Sequence, residues 1–334
     1  MVGDHGLSSV DRLESPQALV FDSIEARGIP LRIIKISSDE GEGPKLTHPL
    51  EPPSMRGYDV VIASTAGGNL MLDLFIDQGD RWTEQPLEAD LRAWRPIAWQ
   101  RDAAIAPQEA GLDLIAELRA GLADSLDYLV VRSEPCDPQG GAVRVLGPQG
   151  EALITRRGER IFYHAIKGDP LDTERLSPYE EFTPAALRRH RDLSQRCVSN
   201  STFEAESSWC NEAQWRQLTR YTPRPDSVAQ LSHLYDLDHA GSVNLFPAEG
   251  VAYNSIVPGR HAGESFHEKD AFAGLWGAPI QRQREHGRIE SALGGSIPTA
   301  IYEYLSGEPV TPGQDGWGYP SLWRAMYRPE AETP

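Results

Sequence analysis

Apolar residues recur along the chain with the two periods that distinguish helices from strands. Residues 16–28 have an apolar face at helical spacing and end at Gly28-Ile29-Pro30, which predicts a helix. A hairpin is predicted where the apolar run 58–63 returns, after Gly67-Gly68-Asn69, as the run 70–76. Further predicted elements are helices over 107–121, 187–196, 227–235 and 299–305, and strands over 31–36 and 242–246.

The middle of the chain has a more regular pattern. Four short apolar runs follow one another there and are separated by glycine-containing turns, which is typical of an antiparallel meander. The sequence therefore predicts an α/β protein in which 126–225 form an inserted antiparallel or cap region, while 1–125 and 226–334 form the core. The four runs are 128–132, 142–146, 151–155 and 160–164.

The acidic excess of the chain restricts its partners. Among 334 residues, 49 are acidic and 32 are basic, which gives a net charge of −17. Such a surface repels the phosphate backbone, so we expect neither nucleic-acid polymers nor anionic membranes as partners. A phosphorylated small molecule stays compatible with this charge, because a bound metal dominates the field around it.

Cysteine usage and the start of the chain bear on location. The chain has an odd number of cysteines, and none of them shows Cys-x-x-Cys spacing: Cys136, Cys197 and Cys210. Reduced thiols are therefore expected rather than a disulfide framework. The chain does not open with a basic segment followed by an apolar run, and no apolar run approaches the about 20 residues of a membrane span. The sequence therefore predicts a cytoplasmic protein without a signal peptide.

The first motif that suggests chemistry is Asp4-His5-Gly6. An Asp and a His side by side at the end of a strand can both turn toward one cation, and the glycine lets the backbone leave the strand sharply. Ser8 and Ser9 are predicted to cap a helix that follows this corner. The alternative is a capping aspartate beside a surface histidine, because a motif of three residues is weak by itself.

The second motif is the loop Pro258-Gly259-Arg260-His261-Ala262-Gly263-Glu264. A histidine in a glycine-rich loop can present its imidazole to a metal with little steric hindrance. The alternative is a surface histidine satisfied by its surroundings. His267-Glu268 and the pair Asp236 and His239 also join a histidine with an acid, and we interpret them as solvated loop residues because neither pair lies at a strand end.

Taken in order, these segments resemble the alkaline phosphatase superfamily, in particular its type I phosphodiesterase/nucleotide pyrophosphatase branch. Residues 2–9 resemble a strand of that branch followed by Ser-Asp-His-Gly-Met-Ser, and 59–75 resemble the hairpin after it. Residues 147–171 are similar to an insert of some bacterial members. Residues 241–280 resemble the closing strand, the Gly-x-His-Gly metal loop and a strand ending in Gly-Pro-x-Ile, and Ile297-Pro298-Thr299 resembles the helix that follows.

The resemblance implies a core with a mostly parallel sheet between helices, incomplete at its N-terminus, and a two-metal hydrolase of phosphoric esters. Its substrate would be a phosphodiester, a nucleotide pyrophosphate or a phosphomonoester. Asp4 and His5 would bind the metal that holds a Thr or Ser nucleophile, and His261 would bind the second metal. Zinc suits these ligands, with manganese or magnesium as alternatives. Ala262 replaces the usual glycine after the loop histidine.

The family's nucleophile and remaining ligands precede Asp-His-Gly, so they are expected upstream of Met1. The chain would then be a C-terminal portion, mis-started or truncated and predicted to be inactive alone. It would pair with a second copy or with a missing N-terminal half, because an incomplete sheet exposes an unpaired edge. Two alternatives stay open. One is a noncatalytic remnant or pseudoenzyme that binds a partner or a phosphorylated ligand, and the other is a phosphotransferase such as a cofactor-independent phosphoglycerate mutase.

Overall fold

The computed structural model of the chain describes two units, His5–Asp270 and a second unit that contains the residues after Asp270. The described residues are 5–36, 58–64, 66–74, 85–96, 111–178, 182–198, 208–237, 240–253, 259–271, 274, 292–311, 319 and 321–322.

Twelve strands are present in the described ranges, and they form two sheets. The strands are β1 (Ser8–Leu13), β2 (Ile33–Ile36), β3 (Val60–Ser64), β4 (Leu70–Leu74), β5 (Leu126–Arg132), β6 (Gly140–Gly147), β7 (Gly150–Arg157), β8 (Arg160–Lys167), β9 (Cys210–Asn211), β10 (Val243–Pro247), β11 (Gly250–Ala252) and β12 (Gly259–Arg260).

The helices of the described ranges are mostly short, and the first begins with a π-helical turn over Gln17–Phe21. They are α1 (Asp22–Ala26), α2 (Glu88–Arg92), α3 (Leu114–Gly121), α4 (Pro184–Cys197), α5 (Glu212–Thr219), α6 (Ser227–Ser232), α7 (Phe266–Lys269) and α8 (Ser296–Ser306). No helix of the described residues is long and apolar enough to cross a membrane.

The large sheet has nine strands in the order β2-β3-β4-β10-β5-β6-β7-β8-β9. The mixed α/β class is therefore confirmed, but the mostly parallel sheet is not found in the described residues. There, β2 and β3 are parallel, and every other neighbouring pair of this sheet is antiparallel. The reason is the length of the connections, since β6, β7 and β8 follow one another through two-residue turns, and such turns can only join antiparallel strands.

The predicted meander and the predicted hairpin are both confirmed. Strands β5 to β8 pair in sequence, and β3 pairs with β4 in antiparallel register. Strand β5 has an almost continuous apolar sequence because both of its faces are buried: Leu129 and Val131 belong to one hydrophobic core, and Tyr128 and Val130 belong to the other. The division into a core and an inserted cap region stays a prediction, and strands of both parts share this one sheet.

The small sheet corrects one prediction at the N-terminus. Residues 8–13 do not follow Gly6 as a capped helix but form β1, which pairs in parallel with β11 and antiparallel with β12. Ser8 and Ser9 lie opposite Arg260 and Gly259 in this pairing. The backbone of these serines is therefore used for strand pairing, which a helix cap at the same positions would exclude.

A disulfide joins Cys197, the last residue of α4, to Cys210 in β9, so the expectation of reduced thiols is wrong for these two residues. Their Cα atoms are 5.6 Å apart, and both side chains are fully buried. The helix and the strand end side by side, which brings together two cysteines that are 13 residues apart in sequence. Cys136 is the free and partly buried cysteine.

The first prediction concerns this disulfide. Unfolded, unreduced protein should show one reactive thiol per chain, and reduced protein should show three. Replacing Cys197 and Cys210 together by Ala should lower the free energy of unfolding by about 3 kcal/mol, because the bond closes a short loop in the unfolded chain. Thiol titration and urea denaturation measure the two effects. Cys136→Ala is the control, and three reactive thiols without reduction would contradict the prediction.

In the same part of the fold as the disulfide, His233 lies between two acidic side chains and forms a pH-sensitive contact. His233 Nε2 lies 2.8 Å from Glu212 Oε1, and His233 Nδ1 lies 2.7 Å from Asp236 Oδ2. Carboxylates accept hydrogen bonds, so the imidazolium form, with hydrogens on both ring nitrogens, is the form that satisfies both contacts. The hydrogen bond to Glu212 raises the pKa of His233, burial opposes the rise, and Asp236 adds to it. Asp236 also pairs with the buried Arg156.

The second prediction follows from the raised pKa of His233. Its contribution to stability is fully present below the ordinary histidine pKa of about 6.5, and it is lost as the pH rises through the higher pKa of the folded state. Wild-type protein should therefore lose stability over that range, and His233→Gln should show a flatter profile. Denaturation midpoints measured across this pH range test the point, with His164→Gln on β8 as control. Equal slopes in wild type and His233→Gln would contradict it.

Candidate functional site

The candidate site lies where three segments of the chain meet: residues 5–8, residues 66–69 and residues 259–268. Strand β12 brings the third segment to the first, because Ser8 pairs with Arg260 in antiparallel register. In such a register the residues that precede Ser8 lie beside those that follow Arg260. Residues that are more than 250 positions apart in sequence therefore become neighbours.

His5 and His261 are brought together by this pairing. Their imidazole rings are stacked, with ring centroids 3.9 Å apart and an angle of 3° between the ring planes. His5 is exposed and His261 is half-buried. Asp4, the third predicted metal ligand, lies outside the described residues.

The backbone of His261 is fixed by the segment after β3. The His261 N–H donates to the carbonyl oxygen of Ala66 at 3.2 Å, and the Gly68 N–H donates to the carbonyl oxygen of His261 at 3.1 Å. Gly67 and His261 form a parallel bridge through these two bonds. Gly67-Gly68, predicted as a hairpin turn, therefore also holds the histidine loop.

Gly68 and Gly6 allow backbone approaches that a larger residue would prevent. A Cβ atom on Gly68 would lie 2.5 Å from the carbonyl oxygen of His261 and 2.4 Å from Glu268 Oε1. A Cβ atom on Gly6 would lie 1.8 Å from the carbonyl oxygen of His267. These distances are far below van der Waals contact, so both positions require glycine.

A hydrogen bond defines the tautomer of His5. His5 Nδ1 lies 2.8 Å from the carbonyl oxygen of Gly6, and because a carbonyl only accepts, Nδ1 carries the hydrogen. The lone pair of the neutral ring is then on Nε2. Metal-binding histidines usually donate their second ring N–H to a carbonyl or a carboxylate in this way.

Glu268 is a buried residue, which corrects its interpretation as a solvated loop residue. It lies in α7, is 3% exposed, and forms an ion pair with the equally buried Arg260. Arg260 Nε lies 3.3 Å from Glu268 Oε1, and Arg260 Nη2 donates to Oε2 at 3.3 Å. Charged side chains are buried in proteins when they are paired, and the partner of Glu268 lies eight residues earlier. His267, its neighbour, is half-buried.

The interpretation of Asp236 and His239 as solvated loop residues is also corrected, for Asp236. Asp236 is not simply solvated, because its carboxylate contacts both His233 and Arg156. Its side chain is 18% exposed. His239 lies outside the described residues.

A second ion pair lies in the same loop and helix. Lys269 Nζ contacts the carboxylate of Glu264 and donates to the carbonyl oxygen of Pro225 at 2.7 Å. Burial raises the pKa of the Glu264 carboxyl, and the charge of Lys269 opposes the rise. The two acids of the loop and helix are thus each paired with a cation.

The backbone of Ala262 is strained. Its φ is +63°, in the left-handed region that residues with a Cβ rarely adopt. The resemblance to the alkaline phosphatase superfamily implied a glycine at this position. The strain occurs directly after His261, where it sets the direction in which the chain leaves the histidine.

The geometry of the two rings decides which metal arrangement they fit. The lone pair of an imidazole nitrogen lies in the ring plane, so the lone pairs of two parallel stacked rings lie in two parallel planes and do not converge on one point. Two rings in this arrangement are compatible with one cation on each ring, as in two-metal sites. Among the described residues, no group of three or more His, Cys, Asp or Glu is arranged to hold a metal ion.

Comparison of the chain with protein-family models, with curated proteins and with solved structures gave no match. The residues and their geometry therefore carry the functional argument.

Sequence reasoning predicted the two histidines but missed the residues that hold them. Glu268 was predicted to be a solvated loop residue, and no role was predicted for Arg260. The signal that could have identified Glu268 is the spacing Ser265-x-x-Glu268, which is the pattern of a capping box at a helix start. The structure has this capping box at α7.

The third prediction concerns Ala262. Replacement by Gly should raise the free energy of unfolding by up to about 1 kcal/mol, because relief of the left-handed strain exceeds the added flexibility of glycine in the unfolded chain. Urea denaturation measures the change. Ala120→Gly, at an exposed position of α3, is the matched control and should destabilise by about 0.5–1 kcal/mol. Destabilisation by Ala262→Gly would contradict the prediction.

Proposed function

We propose that the chain is the metal-binding part of a metal-dependent hydrolase of phosphoric esters, of the alkaline phosphatase type. Its substrates are a phosphodiester, a nucleotide pyrophosphate or a phosphomonoester. His5 and His261, with Asp4, hold two divalent cations, of which zinc suits the ligands best. The observation that carries the proposal is the stacking of His5 on His261 at 3.9 Å.

Three features support this assignment. The two histidines come from distant parts of the sequence and meet in the parallel arrangement that suits one cation on each ring. The hydrogen bond of His5 to its neighbouring carbonyl leaves Nε2 as the basic nitrogen. A phosphorylated substrate is compatible with the net charge of −17, because a bound cation would dominate the local field.

The roles of the chain's own residues are positional. His5 and His261 hold their imidazoles parallel, and the backbone of Ala66 and Gly68 fixes the second of them. Cations held by these residues would supply neutralisation of the negative charge of a phosphoric ester. No residue of the chain is assigned as nucleophile in this proposal.

The relation to the alkaline phosphatase fold belongs to the proposal as well. It is based on the order of the sequence motifs and not on the described sheet, in which one strand pair is parallel. The predicted association with a second copy or with an N-terminal half has the same basis.

A cytoplasmic location is likewise a prediction, and one of its reasons is weakened. It was argued partly from reduced thiols, whereas Cys197 and Cys210 form a disulfide. Disulfides persist mainly in oxidising compartments.

The fourth prediction tests the metal ligands. Protein freed of its purification tag and of metal should take up zinc stoichiometrically, as measured by elemental analysis and by competition with a chelator. His5→Ala and His261→Ala each remove a direct ligand of the metal. Each should therefore lower zinc affinity by at least about 10–100-fold, which is the loss caused by removing a residue that only orients a ligand. His164→Ala should bind zinc like wild type.

Two outcomes would change the proposal. Unaltered, stoichiometric zinc in the His5→Ala, His261→Ala double variant would show that these residues are not ligands. Zinc binding that depends on both residues, but without hydrolysis of a p-nitrophenyl phosphodiester, would favour the noncatalytic alternative.

A further inference from the structure

We propose that Glu268 is a positioning residue. Through its ion pair with Arg260, it holds His5 and His261 in their stacked arrangement. The inference rests on the proposed function, in which the imidazoles of His5 and His261 act together. It assigns a specific role to a buried charge that the metal ligation does not itself use.

Glu268 contacts both histidine segments. Its carbonyl oxygen accepts a hydrogen bond of 2.8 Å from the N–H of Gly6, the residue after His5. Its carboxylate pairs with Arg260, the residue before His261. One residue of α7 is therefore linked to the immediate neighbour of each stacked ring.

Arg260 transmits this restraint to the rest of the sheet. Its Nη1 donates to the carbonyl oxygens of Pro247, Ala248 and Val251, at 3.0, 2.7 and 2.7 Å. Strand β11, to which Val251 belongs, pairs with β1, and β1 follows His5. The guanidinium thus ties the start of the histidine loop to both sides of the small sheet, and Glu268 contacts the same guanidinium through Nε and Nη2.

The loop packs closely around the Glu268 carboxylate. A Cβ atom on Gly68 would lie 2.4 Å from Glu268 Oε1, and a Cβ atom on Gly263 would lie 2.5 Å from Oε2. Ser265 Oγ donates to Oε2 at 2.6 Å, and the Ser265 N–H donates to the same oxygen at 3.3 Å. The carboxylate is therefore held on four sides, by Arg260, Ser265, Gly68 and Gly263.

A merely structural role for Glu268 would be to cap α7. Loss of a helix cap lowers stability but does not by itself alter the relation of two side chains outside the helix. Loss of the ion pair leaves the charge of Arg260 buried without a counter-charge, and this favours a shift of Arg260 and of His261, the next residue. The two roles therefore differ in what happens to the stack of His5 and His261.

The experiment detects the stacking of His5 on His261 directly, in metal-free protein. Histidine-labelled protein is compared by NMR for wild type, Glu268→Gln and Glu264→Gln, with the signals of His5 and His261 assigned from their alanine variants. Stacked rings shift each other's ring-proton resonances. In Glu268→Gln both signals should move toward those of unstacked histidines. Glu264→Gln, which changes the other buried pair of the same loop and helix, should leave them in place.

Zinc affinity provides the second readout. Glu268→Gln should bind zinc about tenfold more weakly than wild type, within the range known for partners that orient a ligand. Glu264→Gln should bind as wild type does. If Glu268→Gln does not fold, Arg260→Lys takes its place, because it keeps the charge but cannot donate to the same set of carbonyls; it should show the same two effects.

The outcomes separate this inference from the proposed function. An unchanged His5–His261 signature in a folded Glu268→Gln or Arg260→Lys variant would overturn the positioning role. Loss of the stack in these variants supports it, even where wild-type protein takes up no zinc. That last result would reject the metal-binding proposal alone.

Discussion

The antiparallel pairing of β1 with β12 is the constraint on which the candidate site depends. It spans only Ser8–Ser9 and Gly259–Arg260, yet its register decides which residues before Ser8 meet which residues after Arg260. A shift of one residue would turn the side chains of one strand to the opposite face and separate His5 from His261. So short a pairing needs support from elsewhere. The buried contacts of Arg260 provide it, because they fix β12 against the turn between β10 and β11.

The sequence predicts those parts of the fold that are determined by neighbouring residues. The meander from β5 to β8 is of this kind, since each turn and each apolar run is read directly along the chain. The position of β10 between β4 and β5 is not, because Val243 pairs with Leu72 and Val131, more than 100 residues away. Short apolar runs indicate strands without showing their partners. The mostly parallel sheet was implied by the family resemblance, whereas all pairs but β2–β3 of the large sheet are antiparallel in the described residues.

The candidate site divides in the same way. His5 and His261 were predicted because the family resemblance implied that these two residues, distant in sequence, belong to one metal site. Glu268 was not, because its local sequence is polar, and only the fold shows that Arg260 and two glycines enclose it. The disulfide was missed for a related reason. Cys197 and Cys210 are separated by 13 positions with no motif, and the contact of α4 with β9 is what brings their Cα atoms to 5.6 Å.

The charge balance around the loop bears on how the proposed function would attract an anionic substrate. The pairs Arg260–Glu268 and Lys269–Glu264 cancel within themselves, so they contribute no net positive charge to attract an anion. The chain as a whole carries −17. In the proposed function, cations held at the site would supply the positive charge that the ion-paired loop does not offer to a phosphoric ester.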